Sequence, residues 1–442
     1  MAPAILPAIR RHFDPGVPSG DFSSQWEYPT DVFSVLLILG GDVVGRALAQ
    51  LVGSRVTPVA FSFGWVAYAV QTVLSVIGEK KLIADPDYAC KVINGRTGYV
   101  RDNSSWVIGR VVRDFDSWMH DSKRGAEIRT HLQQMLAKRW ERDRRAAEDK
   151  KRGSGEDVPR PSRAGLLVSV FTADRAEPGH PDCDWVYILG FPVAILQLGV
   201  AAIPCGLFGD WSILLVTAAG ILLAFGTGGI GQWTEEKWAC RRNSNKTVIL
   251  TRGNGSQHAI VIIGDGKGLD LEDLAAGPSG VAASTPYTTI VTVTILAVLW
   301  ILLLITAAGI KQNTWFLIAV GAIGIVQNIL VAGWPRSPEA FGIPLREEKH
   351  VFGEQKVMDT LFAVEDKYPR VGRSMLDTFF PGKLLPEEEE RWCKTIQITK
   401  LHAYKKNDIE VDSRLRGGVT LPRAFQATIR PTNSREVCGT DS

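Results

Sequence analysis

Gly41-Asp42-Val43-Val44-Gly45-Arg46 lies in the middle of an apolar stretch from Asp31 to Gly53, and its reading decides the fold. The stretch is long enough to cross a bilayer as a helix. An acid and a base at its centre cost roughly 2.5–3.5 kcal/mol each on insertion scales. On a helix, Asp42 and Arg46 stand four apart on one face, acid first, so each partly neutralises the other. Gly41 and Gly45 form a GxxxG pair beside them, a spacing that lets another helix approach closely. Such a pair either locks helices together or lines a path. Locking is the expected role, with both side chains facing other helices, because no further acid, base or histidine stands deep in another apolar block to complete a relay.

Five more apolar blocks follow. Val56–Gly78 is separated from the first by Ser54 and Arg55 alone, which predicts a tight antiparallel hairpin. Pro58 then falls near a helix start, where proline is tolerated. Asp184–Phe208 and Trp211–Trp233 make a second hairpin, with Pro192 and Pro204 as kink positions. Its glycine-rich end, Gly226-Thr227-Gly228-Gly229-Ile230-Gly231, permits close backbone approach or an unwound end. Thr288–Ile310 and Asn313–Trp334, joined by Lys311 and Gln312, make the third. The internal polar residues of these blocks are Gln71, Gln197, Gln327 and Asn328. With Asp42 and Arg46 they are the candidate intramembrane polar residues. The expected fold class is mainly α: a polytopic membrane protein of about six helices in three hairpins, with small α+β cytosolic inserts.

The chain divides accordingly. Residues 1–30 read as a flexible cytosolic leader, 31–78 as the first hairpin, 79–183 as a cytosolic insert and 184–233 as the second hairpin. Residues 234–287 read as a β-rich insert, 288–334 as the third hairpin and 335–442 as a cytosolic tail. Within the first insert, Ile128, Leu132, Met135, Leu136 and Trp140 recur at helical spacing in Lys123–Arg152. A Gly/Pro/Ser linker, Gly153–Ser162, follows it. Gly165–Phe171, Thr247–Thr251 and Ala259–Ile263 read as strands, the last two joined by a turn at Gly253-Asn254-Gly255-Ser256. One small sheet joining the two inserts is expected, since an isolated hairpin is marginal in water. The tail carries a charged helix at Pro386–Lys394, a strand at Thr395–Ala403 and a disordered end from Pro431.

Charge sets the orientation. The net charge of +3 is too close to neutral to imply nucleic acid as a partner. Lys plus Arg number 2 in residues 1–30, 21 in 79–183, 6 in 234–287 and 18 in 335–442. With six crossings, all four regions fall on one side. Lys80, Lys81, Lys237, Arg241, Arg242 and Arg336 flank the helix ends, which places both termini and both inserts in the cytosol. The sequons at Asn103, Asn245 and Asn254 would then stay unglycosylated. The short apolar run Ala4–Ile9 precedes Arg10-Arg11, the reverse of a secretory signal. The six scattered cysteines, with no CxxC, read as reduced thiols and not as a disulfide frame.

Chemistry is hard to find in these residues. Gly264-Asp265-Gly266-Lys267-Gly268 invites a phosphate-loop reading but fails on spacing, with Val261 where a glycine belongs and Gly268 where Ser or Thr should follow the lysine. It reads as a loop leaving a strand. His258 has no second histidine nearby and reads as a surface or turn residue. Asp265, Asp270, Glu272 and Asp273 do not have calcium-loop spacing and read as a solvated charge run. The basic run Lys138–Arg152 carries mixed signs, which favours a solvated or partner-binding face over anionic lipid. No catalytic residue, cofactor site or metal site is expected.

Two stretches, Asp31–Gly64 (DVFSVLLILGGDVVGRALAQLVGSRVTPVAFSFG) and Lys91–Ser117 (KVINGRTGYVRDNSSWVIGRVVRDFDS), resemble fungal "modin-like" membrane proteins. The resemblance covers about the first quarter of the chain and implies a fungal source, without an activity or functional residues. From the residues themselves, the leading expectation is a non-enzymatic scaffold or sensor whose cytosolic regions bind protein partners. A transporter or channel with a path near Asp42 and Arg46 is the second reading, and its few helices would call for a homo-oligomer. The third is a membrane-embedded enzyme of lipid or terpenoid secondary metabolism, though the chain has no paired acidic motif of the prenyltransferase kind.

Overall fold

Proline at position 58 sets the wiring of the membrane part. It has no N–H to give and pushes Thr57 out of helical backbone, while β-branched Val56, Thr57 and Val59 suit extended chain. The computed structural model describes residues 31–54, 56–79, 81–120, 123–149, 158–161, 165–174, 181–277 and 286–395. In it, α1 (Asp31–Leu51) is followed by a non-helical segment over 52–63, and α2 (Gly64–Gly78) begins eight residues later than the apolar block that contains it. The tight antiparallel hairpin expected here does not form. Gln50 and Val52, at the end of α1, lie against Lys237, and Leu82, just beyond α2, lies against the neighbouring Glu236. Both helices also pass through one crossing, where Gly40 packs on Gly64 backbone to backbone. They therefore run the same way, and residues 52–63 carry the chain back between them.

The first insert holds β1 (Lys91–Asn94), β2 (Val100–Asp102), α3 (Trp106–Arg113), α4 (Phe115–His120), α5 (Lys123–Asp149) and β3 (Leu167–Ala173). Then come α6 (Trp185–Phe208) and α7 (Ser212–Gly228), followed by α8 (Gln232–Lys237), β4 (Thr247–Thr251), β5 (His258–Ile263) and α9 (Leu271–Ala275). After α10 (Tyr287–Ala308) and α11 (Thr314–Gly333), the tail forms a 3-10 turn at Pro338–Phe341, β6 (Leu345–Gly353), α12 (Val357–Lys367), α13 (Val371–Ser374), α14 (Leu376–Phe379) and a last helix over 386–395. Thr395 is helical, so it does not open a strand; residues 396–403, like the leader and the chain end, lie outside the described residues.

Three helices, α6, α10 and α11, are long and apolar enough to cross a membrane, while α2 and α7 are apolar but only 15 and 17 residues long. The chain is thus a mostly helical, membrane-embedded protein with a small sheet. Pro192 and Pro204 lie inside α6 without ending it, and Gly209 closes it in the left-handed region that favours glycine. The six helices of the apolar blocks form a closed ring: α1 packs on α2, α2 on α10, α10 on α7, α7 on α6, α6 on α11, and α11 on α1. Exposed aromatics mark both ends of this ring. Trp185, Trp334 and Tyr287 stand at the end nearer the sheet, and Phe208, Trp211 and Trp315 at the other, as membrane–water interfaces favour.

Outside the ring, strands from both inserts and the tail make one sheet in the order β2-β1-β4-β5-β3-β6. The sheet expected to join the two inserts is present, with β4 and β5 antiparallel and β3 parallel to β5. Alternation along the strands sorts side chains onto two faces. Val92, Leu167, Phe171, Leu250, Ile260 and Ile262 pack with α3, α4, α5 and α9, and Ile93, Val168, Val170, Ile249 and Val261 pack with α12 and its neighbours. On α5, Ile128 and Met135 are buried, and His131 Nε2 lies 3.0 Å from Gly353 O. Among the described cysteines, Cys90, Cys183, Cys205 and Cys240 are free, but Cys393 is disulfide-bonded, which corrects the expectation of six reduced thiols.

Candidate functional site

Three of the six candidate polar residues meet inside the ring, and what they meet is the chain itself. Residues 57–63 are buried and non-helical at the centre of the helices. In hydrocarbon, backbone without internal hydrogen bonds survives only where protein satisfies it. Gln197 Nε2 donates to Phe61 O (2.7 Å) and to Val320 O (2.9 Å). Gln327 Oε1 accepts from Ala60 N (3.1 Å), and its Nε2 donates to Pro58 O (3.4 Å). Asn328 Nδ2 donates to Ser62 Oγ (3.1 Å) and Ala60 O (3.4 Å). Thr57 Oγ1 donates to Gly228 O (2.9 Å), and Trp65 Nε1 donates to Ala60 O (2.9 Å). A neutral amide offers both a donor and an acceptor, as a peptide does. Gln327 uses both and so acts as a missing neighbour of an extended strand, while Gln197 and Asn328 serve it as donors.

The surrounding helices make room for it. A Cβ at Gly190 would strike Pro58 O, and one at Gly324 would strike Phe61 O. Phe61 stacks on Trp300 (6.1 Å), and Trp300 stacks on Trp65 (5.3 Å). The centre of the ring is filled by chain, amides and aromatic rings.

Asp42 and Arg46 are elsewhere. They form the expected ion pair (3.0 Å), but their side chains are 73% and 44% exposed, so they do not face other helices. The face of α1 that packs is the neighbouring one, where Gly41 and Gly45 meet Ala67 and Tyr68 of α2. Arg46 also lies near enough to Arg110, at the sheet end, to repel it. Gln71 is exposed on α2. The structure thus separates the candidates into a buried amide group and an outward-facing set.

A second set of polar residues, between ring and sheet, was invisible in the sequence. α3 lies across this junction, with Trp106 packed into the ring core and Val107, Ile108 and Val111 into the sheet core. Arg336 ties four pieces together. It donates from Nε and Nη2 to Asp184 (2.6 and 2.9 Å), from Nη1 to Gln50 O (2.8 Å) and from its backbone N–H to Asp114 (3.2 Å). Asp184 is also the N-cap of α6, accepting from Tyr187 N. Arg113 pairs with Asp114 (2.6 Å) and donates to Gly333 O (3.3 Å) at the end of α11. Arg110 is fully buried beside Asp87 (3.0 Å) and over Trp106, and burial pulls its pKa down to about 10 against the pull of Asp87. Lys237 Nζ, also buried, donates to Gln50 O (3.2 Å) and Val52 O (2.7 Å) at the end of α1. Burial, with Arg336 adding to it, holds that ammonium well below the usual lysine range. Glu236 accepts from Leu82 N (2.7 Å) and Ile83 N (3.0 Å). Only the position of Lys237 and Arg336 beside apolar blocks could have hinted at this, and that signal reads first as topology.

Beside the junction, α3, α4 and the β4–β5 turn enclose a cleft of about 260 Å³. Leu250 and Ile260 form its floor, with Val112 and Phe115 along one side. His258 Nε2 is 3.5 Å from Asp116, and the guanidinium of Arg252 lies 5.0 Å over the Tyr88 ring. Burial pushes the His258 imidazole below its ordinary range, opposed by Asp116.

The remaining sequence candidates are structural. Gly264–Lys267 forms the turn leaving β5, with Asp265 and Gly266 at positive φ. The acidic run is not simply solvated: Asp270 is buried, caps α9, and pairs with Lys246 (3.0 Å). No family model, no curated protein and no solved structure matches this chain.

Proposed function

We propose that this chain is a non-enzymatic, multi-pass membrane protein that presents a partner-binding domain at the cytosolic face, as a scaffold or sensor in signalling or regulation. The observation that carries this reading is the junction centred on Arg336. The Arg336 guanidinium joins the end of α1 to the start of α6, and its backbone N–H, just beyond α11, donates to Asp114 of the sheet domain, so a change in either part bears on the other. Loss of one partner from the Arg336–Asp184 pair costs about 3–5 kcal/mol, enough to hold Arg336 in place at the junction. The filled centre of the ring supports a structural bundle over an open path.

In this reading six helices embed in the bilayer, and the basic flanks Lys81, Arg241 and Arg242 keep the sheet domain in the cytosol. α1 runs toward that domain, so its start belongs to the opposite side. This differs from the placement of both termini in the cytosol, which rested on a tight first hairpin.

The test is two-sided. Protein reconstituted in sealed vesicles should pass no more protons, sodium or potassium than protein-free vesicles. Photo-crosslinkers placed in cells at exposed Glu354 or Lys356 should yield defined protein adducts, and crosslinkers at Trp211 should not. Ion flux that Gln327→Leu abolishes, with no adducts from the domain, would replace this reading with a transporter.

A further inference from the structure

The cleft beside His258 is an amphipathic hole with one cation that no carboxylate neutralises. Its floor and wall are Leu250, Ile260, Val112 and Phe115, all apolar. Arg113 is already paired with Asp114, while Asp116, exposed at the rim, meets the His258 imidazole, whose charging burial disfavours. Arg252 is different. It is exposed, rests on the Tyr88 ring, and has no carboxylate within ion-pair distance among the described residues. A guanidinium fixed over an aromatic face is pre-organised to take a planar carboxylate in two parallel hydrogen bonds. The volume, about 260 Å³, lies near the lower end of small-molecule pockets, about 300–1,000 Å³. That suits a small ligand of about ten non-hydrogen atoms.

We propose that this cleft binds a small organic carboxylate with an apolar body, the body seated on Leu250 and Ile260 and the carboxylate on Arg252. Pockets of this kind bind through apolar contact and are oriented by a few fixed polar groups. His258 does not act as a base here: Nε2 faces Asp116, and Nδ1 is sealed from solvent. Its part is to hold Asp116 at the rim. This inference goes beyond the scaffold reading and does not depend on it, since a transporter could carry the same cleft.

The experiment uses the full chain in lipid nanodiscs, with empty nanodiscs as the blank. Phenylacetate, which has ten non-hydrogen atoms, is titrated by calorimetry and by quenching of Trp118, whose ring lies 5.0 Å from Phe115. Saturable binding is expected, with the neutral analogue phenylacetamide at least about tenfold weaker. Arg252→Gln should weaken phenylacetate by about tenfold or more, and Arg252→Lys should recover only part of the loss, since lysine keeps the charge but not the two parallel hydrogen bonds. Arg252 is exposed, so neither change threatens folding, and an unchanged melting curve checks this. No saturable binding, equal binding of acid and amide, or full affinity in Arg252→Gln would each overturn the proposal.

Discussion

Gln327 pairs with Ala60 as one strand pairs with another. The Ala60 N–H donates to Gln327 Oε1 at 3.1 Å, and Gln327 Nε2 reaches back to Pro58 O at 3.4 Å. A side-chain amide on α11 thus completes the backbone of a segment that crosses the ring unwound. Gln327→Leu keeps the volume and removes both bonds. Each buried group left without a partner costs about 1–3 kcal/mol. The variant should melt well below the parent in micelles, and Gln327→Glu should not restore it, because a carboxylate has no N–H for Pro58 O. A Leu variant that melts with the parent would mean that the segment is held by packing alone.

Gly324 and Gly190 test that packing separately. A Cβ at either position collides with backbone oxygen of the segment, which cannot swing aside as a flexible side chain could. Alanine there should cut the yield of folded protein severely. Gly199→Ala, on α6 with open space around it, should be neutral or stabilising by about 0.5–1 kcal/mol. The comparison is read by size-exclusion profiles of the three variants expressed side by side. Equal profiles would mean that the ring relaxes around the segment.

The outward-facing pair gives the contrary expectation. Asp42 and Arg46 are joined at 3.0 Å on an exposed face of α1. Asp42→Ala, Arg46→Ala and the double change should each accumulate, the double at least as well as the parent, since it removes two charges that cost roughly 2.5–3.5 kcal/mol each at the centre of a bilayer. Arg46 can reach the interface at the sheet end, since it already feels Arg110. A collapse of either single variant, rescued in the double, would show that the pair stabilises the helix packing after all.

How much of this was legible in the sequence follows from what periodicity records. The apolar blocks, the strand pattern of Thr247–Thr251 and Ala259–Ile263, and the apolar face of α5 all carry a regular spacing, and all were readable; His258, read as a surface or turn residue, instead opens β5. Residues 56–63 carry none. Their composition suits a membrane helix, and only Pro58 argues otherwise; the five glycines and three amides that receive the segment lie 127 to 272 positions further on, on other helices. Gln197, Gln327 and Asn328 could be named as polar, but not assigned a partner. Asp42 and Arg46 drew attention through charge, yet helical spacing alone says which residues share a face and not what that face meets. Arg336 and Lys237 were counted as flanking charges because burial of a cation has no sequence signature.

The His258 imidazole predicts a pH dependence. Burial lowers its pKa from 6.5, with the Asp116 carboxylate opposing, so the folded protein binds fewer protons there than the unfolded chain. Stability therefore rises with pH through the window that ends near 6.5 and is lost as pH falls through it. His258→Gln removes this contribution. The parent should lose more of its melting temperature than the variant between about pH 7 and about pH 5. Identical pH profiles for the two would show that the imidazole titrates as freely when folded as when unfolded.

The last prediction concerns the side on which α1 begins. α1 and α2 run in the same direction from their glycine crossing to the ends held by Lys237 and Glu236. Helix α1 has 21 residues, and at 1.5 Å per residue Asp31 stands roughly 30 Å from Leu51, about the thickness of a bilayer core. Lys311, between α10 and α11, is at the same far end as Asp31, while Cys183 lies beside Asp184 at the sheet end. In sealed cells, an impermeant thiol reagent should therefore label Asp31→Cys and Lys311→Cys. The native Cys183, exposed in the fold, should react only after permeabilisation. If Asp31→Cys instead reacts together with Cys183, α1 does not cross the membrane, and the return of residues 52–63 through the ring starts from a helix lying at the surface.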